Sequence, residues 1–533
     1  MPKVAEVLAQ ELKRAGIDTV FGLPGGENIA VVDAIQRTGI DFVLVHHEAS
    51  AAYMASAMAR LTGKPSACLA TLGPGAANAV AGVAHAYLDR APVLFISAQI
   101  PDKLRPLHTH QYINLQAMFE PITKGSFQLE ANTARSIIEH AMALTMKGRP
   151  GPVHLQVSAD MAGMEAGDEQ VSFMEEMNTR LDDIDEVRHL IKNFQRPVIL
   201  AGLGFDATDE HYSLAKLCEK LDAPVILTPK AKGALDARHP LYAGTIGLTQ
   251  SDPVYEILDE ADGILALGFD VVELVKPWQH YAPVIWIAPW ENTDPQLPAT
   301  AELVGEVGQI LSQLDAFQTA SNKNWGTECV ATLHKKQSSI QLPMAKSGRL
   351  LPQDVLSAVR QTVNDDAIVT TDVGSHKILA ALEWPTYTPN SYLLSNGLSC
   401  MGYGLPAAIA ASRLYPERQV VCFTGDAGLL MAMGELAQLR DTKAPLVIVV
   451  FNDNALDLIR AKQLKAAINP QGTEFHGPDW GKIAGAFGLG YAQVNDEAAC
   501  KLAMQGALDA AQPIIIDALI DPSSYPTSAR NQL

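Results

Sequence analysis

Short apolar runs alternate with Ala-rich helical segments along nearly the whole chain, in three blocks separated by two polar stretches. This alternation is the mark of a parallel sheet with helices on both faces, because each crossover must return the chain to the same end of the sheet. The first block has its apolar runs at 19–22, 42–45, 67–70, 93–97 and 153–157, and an acidic, weakly periodic stretch at 165–183 follows. A second block, 187–314, has runs at 197–201, 224–227, 263–267 and 284–287. From 319 to 350 the chain turns polar again, and the third block has runs at 368–371, 420–424, 446–451 and 513–518. The expected architecture is three consecutive doubly wound parallel-sheet α/β domains. They are placed at 1–165, 186–318 and 350–533, with linkers at 166–185 and 319–349. No short-period repeat is visible, although the first and third blocks read as candidates for related folds.

Composition narrows the function. At 533 residues the chain is too long for one core, and 48% hydrophobic with 19% charged residues excludes wholesale disorder. A net charge of −19 argues against a nucleic-acid binder, which would carry a basic face. The six cysteines (68, 218, 329, 400, 422 and 500) form no CxxC pair, so neither a disulfide framework nor a zinc site is expected. The opening MPKVAEVLAQELKRAG reads as a charged amphipathic helix rather than a signal peptide, and no apolar run is long enough to span a bilayer. The expectation is a cytoplasmic enzyme without a membrane or nucleic-acid partner.

Chemistry concentrates at strand ends. In the third block the strand VVCFT runs into Gly425-Asp426-Ala427-Gly428, and a helical pattern begins at once. The next strand, 446–451, ends in Asn452-Asp453-Asn454-Ala455. Neighbouring parallel strands bring their C-terminal ends side by side, so Asp426 and Asp453 are expected to converge. Two hard carboxylates there suit Mg²⁺, with phosphate oxygens completing its shell.

This constellation resembles the Mg²⁺–diphosphate motif of thiamine-diphosphate (ThDP) enzymes, in which GDG is followed one helix and one strand later by Asn-Asn. Here Ala427 replaces the middle glycine and Asp453 the second asparagine; catabolic acetolactate synthases likewise carry Asp at that place. The resemblance implies metal ligation by Asp426, Asp453 and the carbonyl of Ala455, with Gly425, Ala427 and Gly428 beside the cofactor. In the first block, DFVLV ends in His46-His47-Glu48 before a helix. A glutamate there in ThDP enzymes hydrogen-bonds N1′ of the aminopyrimidine, favouring the imino tautomer that removes the C2 proton. Further motifs agree: Thr71-Leu-Gly-Pro-Gly-Ala-Ala-Asn78 resembles TSGPGxxN, and Gly22-Leu-Pro-Gly-Gly26 resembles FGxPG, which adds Gly25 and Asn78 to the cofactor set. Asp372-Val-Gly-Ser-His376 resembles DxGxH, implying diphosphate contacts from Gly374, Ser375 and His376, and Met401 holds the place of the residue that props the cofactor into its bent shape.

The resemblance covers nearly the whole chain and implies a pyrimidine-binding, a central and a diphosphate-binding domain. It further implies active sites between subunits of a homodimer or homotetramer. Within the superfamily the chain is similar to acetolactate synthases, especially their FAD-independent catabolic branch, through HTHQYINLQAMFEPITK (108–124) and LGFDVVELVKPW (267–278). Gly202-Leu-Gly204 is too little to imply a nucleotide or FAD. The implied reaction decarboxylates a 2-oxo acid such as pyruvate and joins the product to a second carbonyl. Gln111 and His110 are the further catalytic candidates. His108, His110, Ile459, Lys462 and Gln463 are the substrate-side candidates, with Asn78 and His85 as nearby polar groups. A non-oxidative 2-oxo acid decarboxylase stands as the alternative, with His108 and His110 near its paired-His position, although the order here is His-Thr-His. Other carboligases or lyases acting on an aldehyde or acyl-CoA also remain open, as does a non-catalytic relative; that last reading is disfavoured because Glu48 and Asp426 are both present.

Overall fold

A computed structural model of the protein describes residues 1–105, 110–173, 184–208, 213–249, 252–275, 278–314, 324–346, 348–440 and 444–526. Eighteen strands form three six-stranded sheets among these residues. The first sheet holds β1 (Thr19–Gly22), β2 (Asp41–Leu44), β3 (Ser66–Ala70), β4 (Val93–Gln99), β5 (Ser126–Gln128) and β6 (Val153–Ser158), in the order β2-β1-β3-β4-β6-β5. The second holds β7 (Pro197–Ala201), β8 (Val225–Leu227), β9 (Tyr242–Thr245), β10 (Gly263–Leu267), β11 (Val284–Ala288) and β12 (Ala301–Val304), in the order β12-β11-β10-β7-β8-β9. The third holds β13 (Ile368–Thr371), β14 (Tyr392–Leu394), β15 (Val420–Gly425), β16 (Leu446–Asn452), β17 (Gly490–Val494) and β18 (Ile514–Leu519), in the order β14-β13-β15-β16-β18-β17. Every ladder is parallel.

The first and third sheets have the same order once each is numbered from its own first strand, which answers the question of related folds. The central sheet has the other doubly wound order, with its switch point between β7 and β10. The crevice there is filled by the chain itself. A Cβ on Gly202 would lie 2.6 Å from a Glu273 carboxylate oxygen, and one on Gly204 would lie 2.3 Å from the Trp290 ring.

Central strands such as β4, β7, β10 and β16 are buried along their whole length, as parallel strands covered on both faces must be. The stretch read as the second linker contains a helix, Trp325–Ser338, whose Val330 and Leu333 are buried against the central domain. Its polar outer face hid it, since only a narrow stripe of the helix needs to be apolar. All six cysteines are free.

Between the second and third domains lies Lys232, 3% exposed. Its ammonium donates to the Ala381 carbonyl (2.9 Å) and Thr245 Oγ1 (3.4 Å). Burial pushes its pKa down to about 7. An unfolded lysine titrates near ~10.4, so between about pH 7 and that value the unfolded chain holds a proton that the folded one has lost. Stability from this group therefore rises with pH across that window. Denaturant midpoints of wild type and Lys232→Met should show the variant's advantage at neutral pH shrinking toward about pH 10; parallel curves would mean that the amine stays protonated.

Candidate functional site

The sequence-derived candidates fall into two groups, one at the C-terminal edge of each outer sheet. In the third domain, β15 and β16 pair Gly425 with Phe451, so the residues that follow each strand are neighbours. Asp426 opens the helix Asp426–Ala432 and is 2% exposed. Its carboxylate accepts from the backbone amides of Ala427 (2.7 Å) and Asn454 (2.7 Å). Ala427 lies within that helix and has no positive φ, so its methyl group costs no backbone strain.

Asp453 accepts the Ala455 amide through Oδ1 (3.1 Å), while its buried Oδ2 has no partner among the described residues. Burial first, then the Asp426 and Asp457 charges, pushes its pKa up to about 8; burial pushes Asp426 up to about 6. A second carboxylate with an unsatisfied oxygen is a costly arrangement unless a cation joins it. Among the described residues no cluster of three His, Cys, Asp or Glu side chains gathers at one point. The donor set of two carboxylates with the Ala455 carbonyl fits a hard divalent ion that takes further oxygens from an anionic ligand.

His376 lies beside this pair, 4% exposed and stacked on Phe451 at 5.5 Å. Burial pushes its pKa down to about 3, so the ring is neutral, and Nε2 is buried without a partner among the described residues. A Cβ on Gly425 would approach its ring to 3.2 Å, so the glycine lies tight against the imidazole. Ser375 donates to Asp457 (3.1 Å), and Gly374 precedes it in extended backbone. Met401 is half-buried on a turn held by Asp372, whose carboxylate accepts the Gly402 amide at 2.9 and 3.0 Å. A Cβ on Gly428 would lie 2.3 Å from that carboxylate, so the glycine is required by packing. On the helix Asp457–Lys465, Ile459 and Lys462 are exposed. Gln463 is engaged at both ends of its amide by the backbone of Gln471.

The other group surrounds Glu48, the first residue of the helix Glu48–Thr62 and 6% exposed. Asn78 donates to its carboxylate (3.0 Å), so Asn78 orients the glutamate. A Cβ on Gly75 would come within 3.0 Å of the same carboxylate, and one on Gly25 within 2.4 Å of Thr71 Oγ1. Gly73, with φ of +54°, lets the backbone of Gln111 lie across it; Gln111 itself has φ of +56°. His110 and Gln111 are exposed, and His108 lies outside the described residues. His85 is sealed at 1% exposure between Ser395 and Asp89, where it serves the domain junction. No hydrogen bond or ion pair among the described residues joins Glu48 to Asp426 or Asp453.

Three acids that matter to this geometry were missing from the candidate residues: Asp372, Asp457 and Glu435. The last, 1% exposed, accepts backbone N–H groups from His46 and His47. The available signal was an acid placed among apolar positions of a helical run, as in LLMAMGELAQL.

Crowding of the two aspartates predicts a stability effect. In cation-free protein above about pH 8, where both groups are charged, Asp453→Asn should raise the thermal midpoint by about 2–4 °C, because it removes one of two facing charges. The gain that MgCl₂ gives wild type should shrink in the variant. An equal Mg²⁺ response in both proteins would place the ion elsewhere.

Comparison with known proteins agrees with this geometry. The family described as "Thiamine pyrophosphate enzyme, N-terminal TPP binding domain" matches residues 2–118, the central domain of the same enzymes matches 184–314, and their C-terminal TPP binding domain matches 372–518. The chain is 30% identical to a probable acetolactate synthase large subunit of Methanococcus aeolicus, over 98% of this chain and 92% of the relative. It is 31% identical to the acetolactate synthase isozyme 1 large subunit of Escherichia coli (97% and 94% covered). It is also 29% identical to an acetolactate synthase of Bacillus subtilis (99% and 95% covered). With both outer domains carrying their motifs at the carboxyl edges of matching sheets, the chain belongs to the thiamine pyrophosphate enzymes and is acetolactate synthase-like.

Proposed function

We propose that this protein catalyses the ThDP- and Mg²⁺-dependent decarboxylation of pyruvate, or a close 2-oxo acid, with carboligation to a second carbonyl. The observation that carries the reading is the buried, unpartnered Asp453 Oδ2 beside Asp426 at adjacent strand ends, in a chain similar over nearly its whole length to acetolactate synthases. Thiamine diphosphate, when bound, supplies the electron sink on which decarboxylation depends.

The protein's part is to bind, orient and manage protons. Asp426, Asp453 and the Ala455 carbonyl would hold the ion, while Gly425, Ala427 and Gly428 bring backbone close to the diphosphate. Gly374, Ser375 and the neutral ring of His376 would complete that contact. Met401 would support the bent cofactor from below. Glu48, steadied by Asn78, would hold the proton at N1′ of the aminopyrimidine, with Gly25 lining the approach. Gln111, His110 and His108, with Ile459, Lys462 and Gln463, form the substrate side in this reading.

Because no hydrogen bond or ion pair among the described residues joins Glu48 to the aspartate pair, a homodimer or homotetramer that sets one copy's first domain against another's third would complete the site. Exposed Ile29, Leu44 and Met431 suit such burial. The same reading takes 1–165 as the pyrimidine-binding, 186–318 as the central and 350–533 as the diphosphate-binding domain, in a cytoplasmic enzyme. The central crevice, filled by Glu273 and Trp290, supports activity without FAD. No helix among the described residues is long and apolar enough to cross a membrane.

The test is pyruvate turnover by purified protein with ThDP and Mg²⁺ and without FAD, products resolved by NMR. Acetolactate is expected; acetaldehyde alone would move the protein to the decarboxylases. Glu48→Gln should bind cofactor yet slow exchange of its C2 proton by about 10²-fold or more. Asp453→Asn should stay active, since an amide oxygen still reaches the ion.

A further inference from the structure

We infer that Glu435, from the third domain, is a positioning residue that aims Glu48, the first domain's catalytic carboxylate. The inference rests on the role proposed above for Glu48. β2 is an edge strand, and its last ladder bond is the Val45 amide to the Gly22 carbonyl (3.0 Å). Beyond that point the N–H groups of His46 and His47 run past the end of β1 and need another acceptor.

Glu435 supplies it. Oε1 accepts from His46 N–H (3.1 Å) and His47 N–H (3.1 Å), and Oε2 accepts from His46 N–H at 3.2 Å. Glu435 stands on the short 3₁₀ segment Met433–Leu439, and a Cβ on its neighbour Gly434 would be in van der Waals contact with His46 Cβ at 3.4 Å.

The remaining anchors of Glu48 are local to the first domain. His47 Nδ1 accepts the Ala49 amide (3.1 Å), the His47 carbonyl accepts the Ser50 amide (3.0 Å), and Asn78 holds the Glu48 carboxylate. These set the helix start and the side chain. Among the described residues, the hydrogen bonds that tie the incoming peptide to another domain are those to Glu435. A 1%-exposed carboxylate is an expensive way to join two domains, because apolar side chains of similar volume are commonly as stabilising. It is the suitable group for holding two successive peptide N–H donors at once. Since 1 Å of misplacement at a reacting centre can cost about 10²-fold in rate, such a brace would be felt in catalysis.

A purely structural brace would lower stability alone, so the test needs a control on the same strand. Arg413 pairs with Asp41 (2.6 Å) at the opposite end of β2 and joins the same two domains. Glu435→Ala, Glu435→Gln and Asp41→Asn would be compared as full-length protein. In the cofactor-free form, amide hydrogen exchange at His46 and His47 should rise in both Glu435 variants and stay unchanged in Asp41→Asn. In the holoenzyme, Glu435→Ala should lower kcat and the C2 proton exchange of ThDP together by about tenfold or more, with KM for pyruvate within about twofold. Glu435→Gln, which keeps one acceptor oxygen, should fall between, and it carries the test should the alanine variant not fold. Released amides with unchanged C2 exchange would overturn the inference and leave Glu435 as interdomain support. If Glu48→Gln itself left C2 exchange unchanged, the reading of Glu48 would fall, which is a separate result.

Discussion

Where the three domains meet, the Asp89 carboxylate is 4% exposed and accepts the backbone amide of Gly397 (2.7 Å) from the third domain. It also pairs with His85 of its own domain (3.0 Å) and with Lys230 of the second (3.4 Å). Burial alone would raise its pKa, yet Lys230 and His85 hold it well below the usual carboxylate range. Arg60 adds hydrogen bonds to the carbonyls of Leu203 and Lys230, and Asn396 donates to the Glu273 carbonyl (2.9 Å). A buried charge tolerates no alternative docking, because any shift leaves carboxylate or ammonium uncompensated in a poorly solvated place. The relative setting of the sheets, and with it the placement of both halves of the site, follows from this junction.

The site uses the opposite logic. Asp426 is satisfied by two backbone amides, whereas Asp453 keeps an unsatisfied oxygen and His376 an unsatisfied nitrogen. Asp453 follows β16, and His376, which follows β13, stacks on Phe451 of β16. Incomplete polar groups beside a second carboxylate at adjacent strand ends are what a cation and an anionic cofactor are suited to complete. The central domain, by contrast, fills its own switch point with Trp290 and Glu273. The two strand orders thus differ in use: the outer sheets carry the candidate residues at their strand ends, while the central sheet packs its own side chains into its switch point.

Legibility followed burial. The central strands were readable because both faces are covered and their sequences are continuous apolar runs. The five strands that sequence reading omitted are β5, β9, β12, β14 and β17, and each lies at a sheet edge. Edge strands are short and need only part of their surface apolar: β17 is largely exposed and β14 has three residues. The helix at Trp325–Ser338 escaped for the same reason, a narrow buried stripe in a polar sequence. At the site, the residues proposed to hold the cofactor lie in contiguous loops such as Gly425–Gly428 and were visible as motifs. Their supports, Asp372 under Met401 and Glu435 behind Glu48, were not.

By itself the sequence determined the class of fold, the two carboxylates at successive strand ends, and the glutamate at a strand-to-helix turn. These are local properties, set by periodicity and by which residues can open a helix after a parallel strand. Only the tertiary structure decided that Asn78 orients Glu48, that Trp290 closes the central crevice, and that Glu435 reaches from the third domain to the turn before Glu48. His46 and Glu435 lie far apart in the chain, and neither side chain reveals its partner through spacing or composition. A buried carboxylate looks the same in sequence whether it faces water, a cation or two peptide amides; the folded chain alone selects among them.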